Sequence, residues 1–254
     1  MKAIFITGAG AGIGEATARR FHAAGWSVGL ADVNEAALEK LANELGERVW
    51  WRVLDVTDSN RVHATVEAFA REHGGFLHVL FNCAGILRTG AFEKISPGQH
   101  KSIIDINVTG LINVTHAAFR FLRVTPDAMV ISMSSASAVY GVPDFASYSA
   151  SKFAVRGLTE ALNIEWQKHD IRVLDIMPPF VKTAMVAQNH SPIMDRLGVD
   201  LNANDIAEAV WDAVQKSDPR SVHRPVGLQF RATMLAAKLT PAVFTRSLMR
   251  FLSR

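Results

Sequence analysis

The feature that most constrains the fold of this chain is a regular alternation of short apolar runs with longer segments of helical spacing. The apolar runs, which indicate strands, span residues 3–7, 27–31, 49–54, 79–82, 128–132 and 172–176. The segments that indicate helices span residues 13–24, 35–45, 60–72, 99–122 and 146–168. Because the runs lack strict polar alternation, we expect strands buried on both faces. The pattern predicts an α/β fold, a doubly wound parallel sheet with helices on both faces.

Length and composition narrow the classes of protein that remain. A chain of 254 residues fits one domain, predicted over residues 1–254. The formal charge is only +3 and the basic residues are scattered among acids, which argues against a nucleic-acid partner. The single cysteine cannot form an internal disulfide, so we expect a reducing compartment, the cytoplasm. The nine histidines show no HExxH or similar cluster, so no metal site is predicted.

The first predicted strand runs directly into a glycine loop, residues 7–14 (TGAGAGIG), that opens the first helix. Glycine lets the backbone approach a diphosphate closely, and a helix N-terminus offers unpaired N–H groups to an anion. The spacing differs from the GxGxxG dinucleotide fingerprint. The loop therefore predicts a diphosphate site, the alternative being a flexible strand-to-helix turn. The residues predicted to line this site are Gly8, Gly12, Ile13 and Gly14.

Two acidic residues end predicted strands. Asp32 lies twenty positions after Gly12, where its carboxylate can accept hydrogen bonds from both hydroxyls of an adenosine ribose. Its charge repels a 2′-phosphate, so Asp32 favours NAD over NADP; the alternative is that it caps the next helix. Asp55, after the third strand, is interpreted equally as an adenine contact or as a helix cap. Its neighbour Val56 is also predicted to border the cofactor.

A tyrosine and a lysine, Tyr148 and Lys152, lie four positions apart in a predicted helix and so project from one face. A phenol with a pKa of about 10 transfers protons poorly at neutral pH, and a nearby ammonium lowers that pKa. Ser135, after the fifth strand, is placed to hold a substrate oxygen beside the phenol. Asn107, within a predicted helix, is interpreted as part of a proton route from Lys152 or as an incidental polar residue. Together these residues predict a centre of acid/base chemistry.

With the NCAG segment at residues 82–85, these motifs resemble the short-chain dehydrogenase/reductase family over residues 1–185. The resemblance implies a Rossmann-type fold that binds a nicotinamide cofactor, and it implies homodimers or homotetramers. It also assigns roles: the acid/base to Tyr148, ribose binding and lowering of the phenol pKa to Lys152, carbonyl orientation to Ser135, and support of a proton relay to Asn107.

Two segments depart from the family pattern. In residues 82–85, Cys83 replaces a second asparagine. Residues 178–183 (PPFVKT) resemble the Pro-Gly-x-Val-x-Thr segment beside nicotinamide, but Pro179 replaces the glycine and fixes φ near about −65°. The residues that the resemblance places against the cofactor here are Asn82, Ala84, Gly85, Pro178, Val181 and Thr183.

Two stretches in the C-terminal part have less defined patterns. Residues 178–204 are the least regular and are predicted to form a substrate loop. Residues 226–254 are apolar and basic, with arginines at four-residue spacing, and are predicted to form an amphipathic extension. This extension is interpreted as a contact with an acidic membrane surface, a lid over an apolar substrate, or a subunit-contact helix. The last two together are favoured, because a buried helix face needs no lipid.

The motifs and the resemblance together predict hydride transfer between NAD(H) and a small-molecule secondary alcohol or ketone. The apolar composition favours an apolar substrate. The alternative of a different class is an NAD-binding regulatory or interaction protein without turnover, because a fold alone does not establish activity.

Overall fold

The structure, a computed structural model, describes residues 1–189, 191–216, 221–228, 230–232, 234, 246 and 250. The strands are β1 (Ala3–Thr7), β2 (Ser27–Asp32), β3 (Val49–Val53), β4 (Val79–Asn82), β5 (Met129–Met133), β6 (Arg172–Met177), β7 (Val181–Lys182), β8 (Leu201–Asn202) and β9 (His223–Pro225). The helices are α1 (Gly12–Ala23), α2 (Glu35–Leu45), α3 (Ser59–Glu72), α4 (Pro97–Ile104), α5 (Leu111–Leu122), α6 (Ala146–Glu165), α7 (Ala184–Ala187), α8 (Pro192–Leu197) and α9 (Ala203–Gln215).

Seven of these strands form one parallel sheet in the order β3-β2-β1-β4-β5-β6-β9. Strand β1 pairs with both β2 and β4, so the direction of the winding reverses beside it. A crevice forms outside the carboxyl ends of the strands at such a reversal, and ligands bind there in doubly wound folds. The predicted doubly wound, Rossmann-type sheet is confirmed.

The two faces of the sheet bury separate apolar cores. Ile4 and Ile6 of β1 point into a core shared with α1, α2 and α9, whereas Ala3 and Phe5 point into a core shared with α3 and α5. Every residue of β1 and of β5 is buried. The expectation of strands covered on both faces is therefore correct.

The predicted helix over residues 99–122 is wrong as a single element. Helix α4 ends at Ile104, a π-helical turn spans Asp105–Gly110, and α5 begins at Leu111. A π turn inserts one residue into a helix, and such turns occur frequently at functional sites. The inserted residue leaves the apolar pattern nearly continuous, which is why helical spacing alone did not reveal the break. Asn107, predicted to lie mid-helix, is in this turn.

The predicted loop over residues 178–204 contains more regular structure than expected. It holds the two-stranded parallel sheet β7-β8 and the short helices α7 and α8. Most of the predicted extension over residues 226–254 lies outside the described residues. Within the described part of the chain, no helix combines the length and the apolar character that crossing a membrane would need.

Candidate active site

The glycine loop, residues 7–14, is shaped by close backbone contacts that leave no room for side chains. A Cβ atom on Gly14 would lie 2.0 Å from the carbonyl oxygen of Gly8. Gly8 itself has φ +70°, and a Cβ there would lie 2.8 Å from the Cα of Ala84. Ala11, which precedes α1, gives that helix no side-chain cap, so the first N–H groups of α1 are not satisfied by a side chain. The loop therefore has the open backbone and the helix N-terminus that suit a diphosphate.

The hydroxyl of Thr7 joins this loop to the segment after β4. Its Oγ1 accepts hydrogen bonds from the backbone N–H groups of Cys83 and Ala84, both at 3.2 Å. Thr7 was not among the residues predicted to belong to the site. A buried hydroxyl at the end of an otherwise apolar strand was the pattern that could have revealed it, because such a group requires a hydrogen-bond partner.

The carboxylate of Asp32 is bound to the backbone of the glycine loop. Its Oδ2 accepts from the N–H of Gly10 at 2.9 Å, and its Oδ1 accepts from the N–H of Asn34 at 3.0 Å. Asn34, not Asp32, caps α2, since its side chain accepts from the N–H of Ala37. The interpretation of Asp32 as a helix cap is therefore wrong. Each carboxylate oxygen retains lone-pair capacity for a further donor.

Asp55 and Val56 occupy the turn after β3. Oδ1 of Asp55 accepts from both the N–H and the hydroxyl of Thr57, whereas the cap of α3 is Asp58. The interpretation of Asp55 as a helix cap is therefore wrong, and an adenine contact stays a prediction. Val56 is buried, and its carbonyl accepts a hydrogen bond from the side chain of Asn113.

Asn107 pairs with the main chain of Ile86. Its Oδ1 accepts from the Ile86 N–H at 2.8 Å, and its Nδ2 donates to the Ile86 carbonyl at 3.0 Å and to Ser151 Oγ at 3.1 Å. The side chain thus fastens the π turn to the segment after Gly85. A Cβ on Gly85 would lie 3.2 Å from Asn107 Oδ1 and 3.9 Å from Lys152 Nζ. Asn107 is not an incidental polar residue; a role in a proton relay stays a prediction.

The first two turns of α6 bring Tyr148 and Lys152 over the end of β5. Lys152 is buried, and its Nζ donates to the carbonyl oxygen of Met133 at 2.8 Å. The same Nζ lies 5.5 Å from the centre of the Tyr148 ring. Ser135 follows β5 by two residues, and its side chain interacts with the phenol. Asn82 ends the neighbouring strand β4, where its Nδ2 donates to Thr115 Oγ1 at 2.9 Å. The contact between Lys152 and the carbonyl of Met133 could not be predicted, because every residue has a main-chain carbonyl and the sequence does not show which one accepts.

The electrostatics of this turn differ from the expectation. Burial raises the pKa of the Tyr148 phenol to about 12, and the hydrogen bond from Ser135 acts in the opposite direction. Among the described protein groups, the net shift of the phenol pKa is therefore upward, opposite to the predicted direction. Burial also lowers the pKa of Lys152 to about 8. A smaller fraction of Lys152 then carries the positive charge that was expected to stabilise the phenolate.

Residues 178–183 border the same crevice. The carbonyl of Pro178 accepts from the N–H of Ala136, next to Ser135, at 2.9 Å. Val181 is buried in β7, and Thr183 caps α7 through its side chain. A Cβ on Gly12 would lie 3.4 Å from Thr183 Cγ2, so Thr183 touches the glycine loop. The segment takes this position with Pro179 in place of the family's glycine.

Tyr148 packs against a cluster of apolar side chains, which we call the apolar wall. This apolar wall combines residues after β4, residues before α6, and the segment from Phe180 to α8. Its members are Leu87, Val142, Phe145, Phe180, Val186, Ile193 and Met194. Two hydrogen bonds fix the segment there, from Ser191 Oγ to Asp144 Oδ2 at 3.1 Å and from the Thr89 N–H to Asn189 Oδ1 at 3.2 Å.

The geometry fits a nicotinamide dinucleotide. The carboxylate of Asp32, the glycine loop, the half-buried Tyr148 and the buried Lys152 all lie at the carboxyl ends of the strands. Among the residues described, no group of three or more His, Cys, Asp or Glu side chains is arranged to hold a metal ion.

Comparison with known proteins supports this arrangement. The chain is 36% identical over 198 residues to the oxidoreductase UcpA of Escherichia coli, covering 75% of this chain and 74% of that protein. A 3-ketoacyl-(acyl-carrier-protein) reductase from Brucella melitensis, solved with NADH, has a TM-score of 0.81 at 26% identity, covering 89% and 96% of the two chains. An alcohol dehydrogenase from Thermococcus sibiricus, solved with 5-hydroxy-NADP, has a TM-score of 0.77 at 26% identity, covering 89% and 95%.

The family model for short chain dehydrogenases matches residues 2–193, a range that includes the glycine loop, Ser135, Tyr148 and Lys152. The protein therefore belongs to the short-chain dehydrogenase family of oxidoreductases.

Proposed function

We propose that the protein transfers hydride reversibly between NAD(H) and a secondary alcohol or ketone. The observation that carries the proposal is the convergence of Ser135, Tyr148 and Lys152 at the carboxyl end of β5, within reach of the glycine loop through residues 84–85. When bound, the nicotinamide ring supplies the hydride donor or acceptor.

The protein's side chains divide the remaining work. The hydroxyl of Ser135 faces the phenol and holds the substrate oxygen there. Tyr148 donates its proton to that oxygen in ketone reduction and removes it in alcohol oxidation. Lys152 binds the nicotinamide ribose and supplies positive charge near the phenolate. Because burial raises the pKa of Tyr148 to about 12, the phenol is protonated at neutral pH, which favours reduction. We expect alcohol oxidation to accelerate as pH rises.

Asp32 supports the choice of NAD. Its carboxylate is held against the N–H of Gly10, where an adenosine ribose would lie once a diphosphate occupies the loop. A 2′-phosphate would meet this negative charge. The Brucella melitensis reductase was solved with NADH, which lacks a 2′-phosphate. The Thermococcus relative was solved with an NADP derivative, so the choice depends on individual residues and not on the fold.

The apolar wall around Tyr148 supports an apolar substrate. Burying each CH₂ group stabilises binding by about 0.8 kcal/mol, about a fourfold change in affinity. We therefore expect kcat/KM to rise by up to about fourfold per methylene along a series of methyl ketones until the wall is covered. Flat kcat/KM values along the series would argue against an apolar site.

The test of the proposed function is the variant Tyr148→Phe, assayed with NAD⁺ against a panel of alcohols and with NADH against a panel of ketones. Loss of the phenol hydroxyl removes the acid/base, so we expect kcat to fall by about 10²–10⁴-fold while NAD still binds in calorimetry. Tyr140→Phe is the matched control, because it removes the hydroxyl of the only other tyrosine. Full activity in Tyr148→Phe would contradict the proposal. NAD binding by the wild type without turnover on any member of the panel would favour the regulatory alternative.

A further inference from the structure

A charged residue interrupts the apolar strand β6, and the proposed chemistry does not use it. Asp175 lies in the sequence RVLDIM and has an exposed fraction of 0%. A buried carboxylate is strongly destabilising unless it is paired. Its Oδ2 is 2.9 Å from Nδ1 of His223 on the neighbouring strand β9, and its Oδ1 has no hydrogen-bond partner among the described residues. This placement requires an explanation.

His223 bridges two carboxylates. Its Nδ1 lies 2.9 Å from Asp175 Oδ2 and its Nε2 lies 2.9 Å from Glu160 Oε1 on α6. Ionised carboxylates only accept hydrogen bonds, and the hydrogen bond with Asp175 raises the pKa of His223, which favours an imidazolium with a proton on both ring nitrogens. Arg156, also on α6, donates through Nε to the same Glu160 oxygen at 2.9 Å. Two positive and two negative side chains therefore form one compact cluster.

The cluster continues the helix face that carries the proposed catalytic pair. Tyr148, Lys152, Arg156 and Glu160 follow one another at four-residue intervals along α6, so each side chain lies beside the next on the helix surface. Because His223 contacts Glu160, the side chains of His223 and Asp175 lie between the sheet and α6. The side chain of Lys152 lies in the same layer, where it donates to the carbonyl of Met133 on β5.

The order of the strands fixes the order of the charges. Lys152 lies over β5, Asp175 stands on β6 and His223 stands on β9, and these three strands are adjacent. Neighbouring strands are about 4.8 Å apart, so Asp175 is one strand from Lys152 and His223 is two. The charges run positive, negative, positive. Asp175 thus stands on the strand next to β5, whereas His223 stands one strand further away.

Lys152 needs such an anion. Burial lowers its pKa to about 8, and Asp175 opposes this shift. Cys83 is also close, but burial raises the pKa of its thiol to about 12, so it carries no charge near neutral pH. Tyr148 is likewise uncharged there. Of the described groups that act on Lys152, Asp175 is the carboxyl group; burial raises its pKa, and the hydrogen bond with His223 opposes that shift and favours the ionised form.

We propose that Asp175 is a positioning residue of the active site: its carboxylate, held ionised by His223, is the buried electrostatic partner of the Lys152 ammonium. The proposal rests on the proposed role of Lys152. In this proposal the protonation of Lys152 depends on Asp175, a residue that acts through Lys152 and not on the substrate or the cofactor directly. It also explains why β6 carries an acid in an otherwise apolar run.

The direct test is the titration of the Lys152 side chain by NMR in protein labelled at the lysine ε carbons, with Lys152→Met for assignment. Asp175→Asn is isosteric and removes only the charge, so we expect the midpoint of the Lys152 titration to fall by about one pH unit, a tenfold loss of proton affinity. Asp175→Ala is the second variant, in case the amide disturbs folding. Glu160→Gln is the matched control, because Glu160 lies beyond His223 and is half exposed; its midpoint should match that of the wild type.

The kinetic readout follows from the same shift. When Lys152 is neutral, the phenolate of Tyr148 loses its nearby positive charge, so the pH profile of kcat for alcohol oxidation should move to higher pH in Asp175→Asn. A purely structural role would lower kcat equally at every pH. Equal Lys152 midpoints in wild type and both Asp175 variants would overturn the proposal even if all are active. Absence of turnover in the wild type would refute the proposed function, while the NMR titration would still decide whether Asp175 and Lys152 are partners.

Discussion

The two ends of the candidate active site are built in opposite ways. At the cofactor end, the glycine loop is shaped by missing side chains and by main-chain N–H groups, one of which donates to Asp32. At the chemical end, Asn107 and Lys152 are buried polar side chains that pair with main-chain groups of other segments. The cofactor end should therefore be damaged by atoms that are added, and the chemical end by polar partners that are removed.

The largest expected effect comes from adding one methyl group at the cofactor end. In Gly14→Ala the new Cβ would lie 2.0 Å from the carbonyl of Gly8, so the backbone must move. We expect a loss of about 3 kcal/mol or more in the free energy of unfolding and no measurable NAD binding. Gly157→Ala in α6 is the matched control, because its Cβ meets nothing within 4 Å and alanine favours a helix. Urea unfolding and calorimetry measure both; NAD binding at wild-type strength in Gly14→Ala would break the comparison.

The cofactor end was also the easier part to predict from sequence. Its elements are consecutive, and the bounds of β1, α2 and β4 agree with the apolar pattern because local spacing determines them. Glycine spacing likewise reports directly on close backbone approach. The roles of Asp32 and Asp55 were less accessible, since the choice between cap and ligand depends on which neighbouring side chain reaches the helix N-terminus first. Asn34 and Asp58 do so.

The second prediction removes polar atoms at the chemical end. Asn107→Ala leaves the partly buried N–H and carbonyl of Ile86 without their partners. Each unsatisfied group costs about 1–3 kcal/mol, so we expect a loss of about 2–3 kcal/mol in unfolding free energy and a fall in kcat. Asn113→Ala, which loses one hydrogen bond to the carbonyl of Val56, is the control and should lose about 1 kcal/mol. Equal losses in the two variants would show that the Ile86 contact has no special weight.

The chemical end was predicted less completely because its contacts join distant parts of the chain. The spacing of Tyr148 and Lys152 placed both on one helix face, but their pKa values depend on burial, which opposes the expected lowering for the phenol. The carbonyl partner of Lys152 belongs to Met133, whose side chain gives no indication of it. Asp175 is visible in the sequence as an acid within an apolar strand, a pattern that could have predicted a buried charged group.

A third prediction removes a charge at the cofactor end and tests whether selectivity there is separable from folding. Asp32→Asn keeps an acceptor for the Gly10 N–H but loses the negative charge. We expect NAD affinity to fall about tenfold, about 1.4 kcal/mol, NADP affinity to rise, and stability to change little. Glu35→Gln removes a neighbouring exposed acid and should leave both affinities unchanged. An unaltered ratio of NAD to NADP affinity in Asp32→Asn would exclude its role in cofactor choice.

The smallest expected effect concerns His223, two strands away from Lys152. It tests whether stability there also depends on a buried polar partner. The hydrogen bond to Asp175 raises the pKa of His223 above its unfolded value of about 6.5. The stability that the imidazolium contributes is therefore fully present below about pH 6.5 and is lost as pH rises through the raised pKa. We expect His223→Gln to lose about 1 kcal/mol relative to wild type in urea unfolding at pH 6, and less at pH 10.

Glu160→Gln controls for the half-exposed contact of the same ring and should lose less at pH 6, because exposed ion pairs contribute little. If the His223→Gln loss were the same at pH 6 and pH 10, packing and not the proton would join β9 to β6. In that case the contacts that depend on buried polar partners would not extend beyond Lys152. If instead the loss of unfolding free energy in His223→Gln became smaller as pH rises, these contacts would extend across β6 to the edge strand β9.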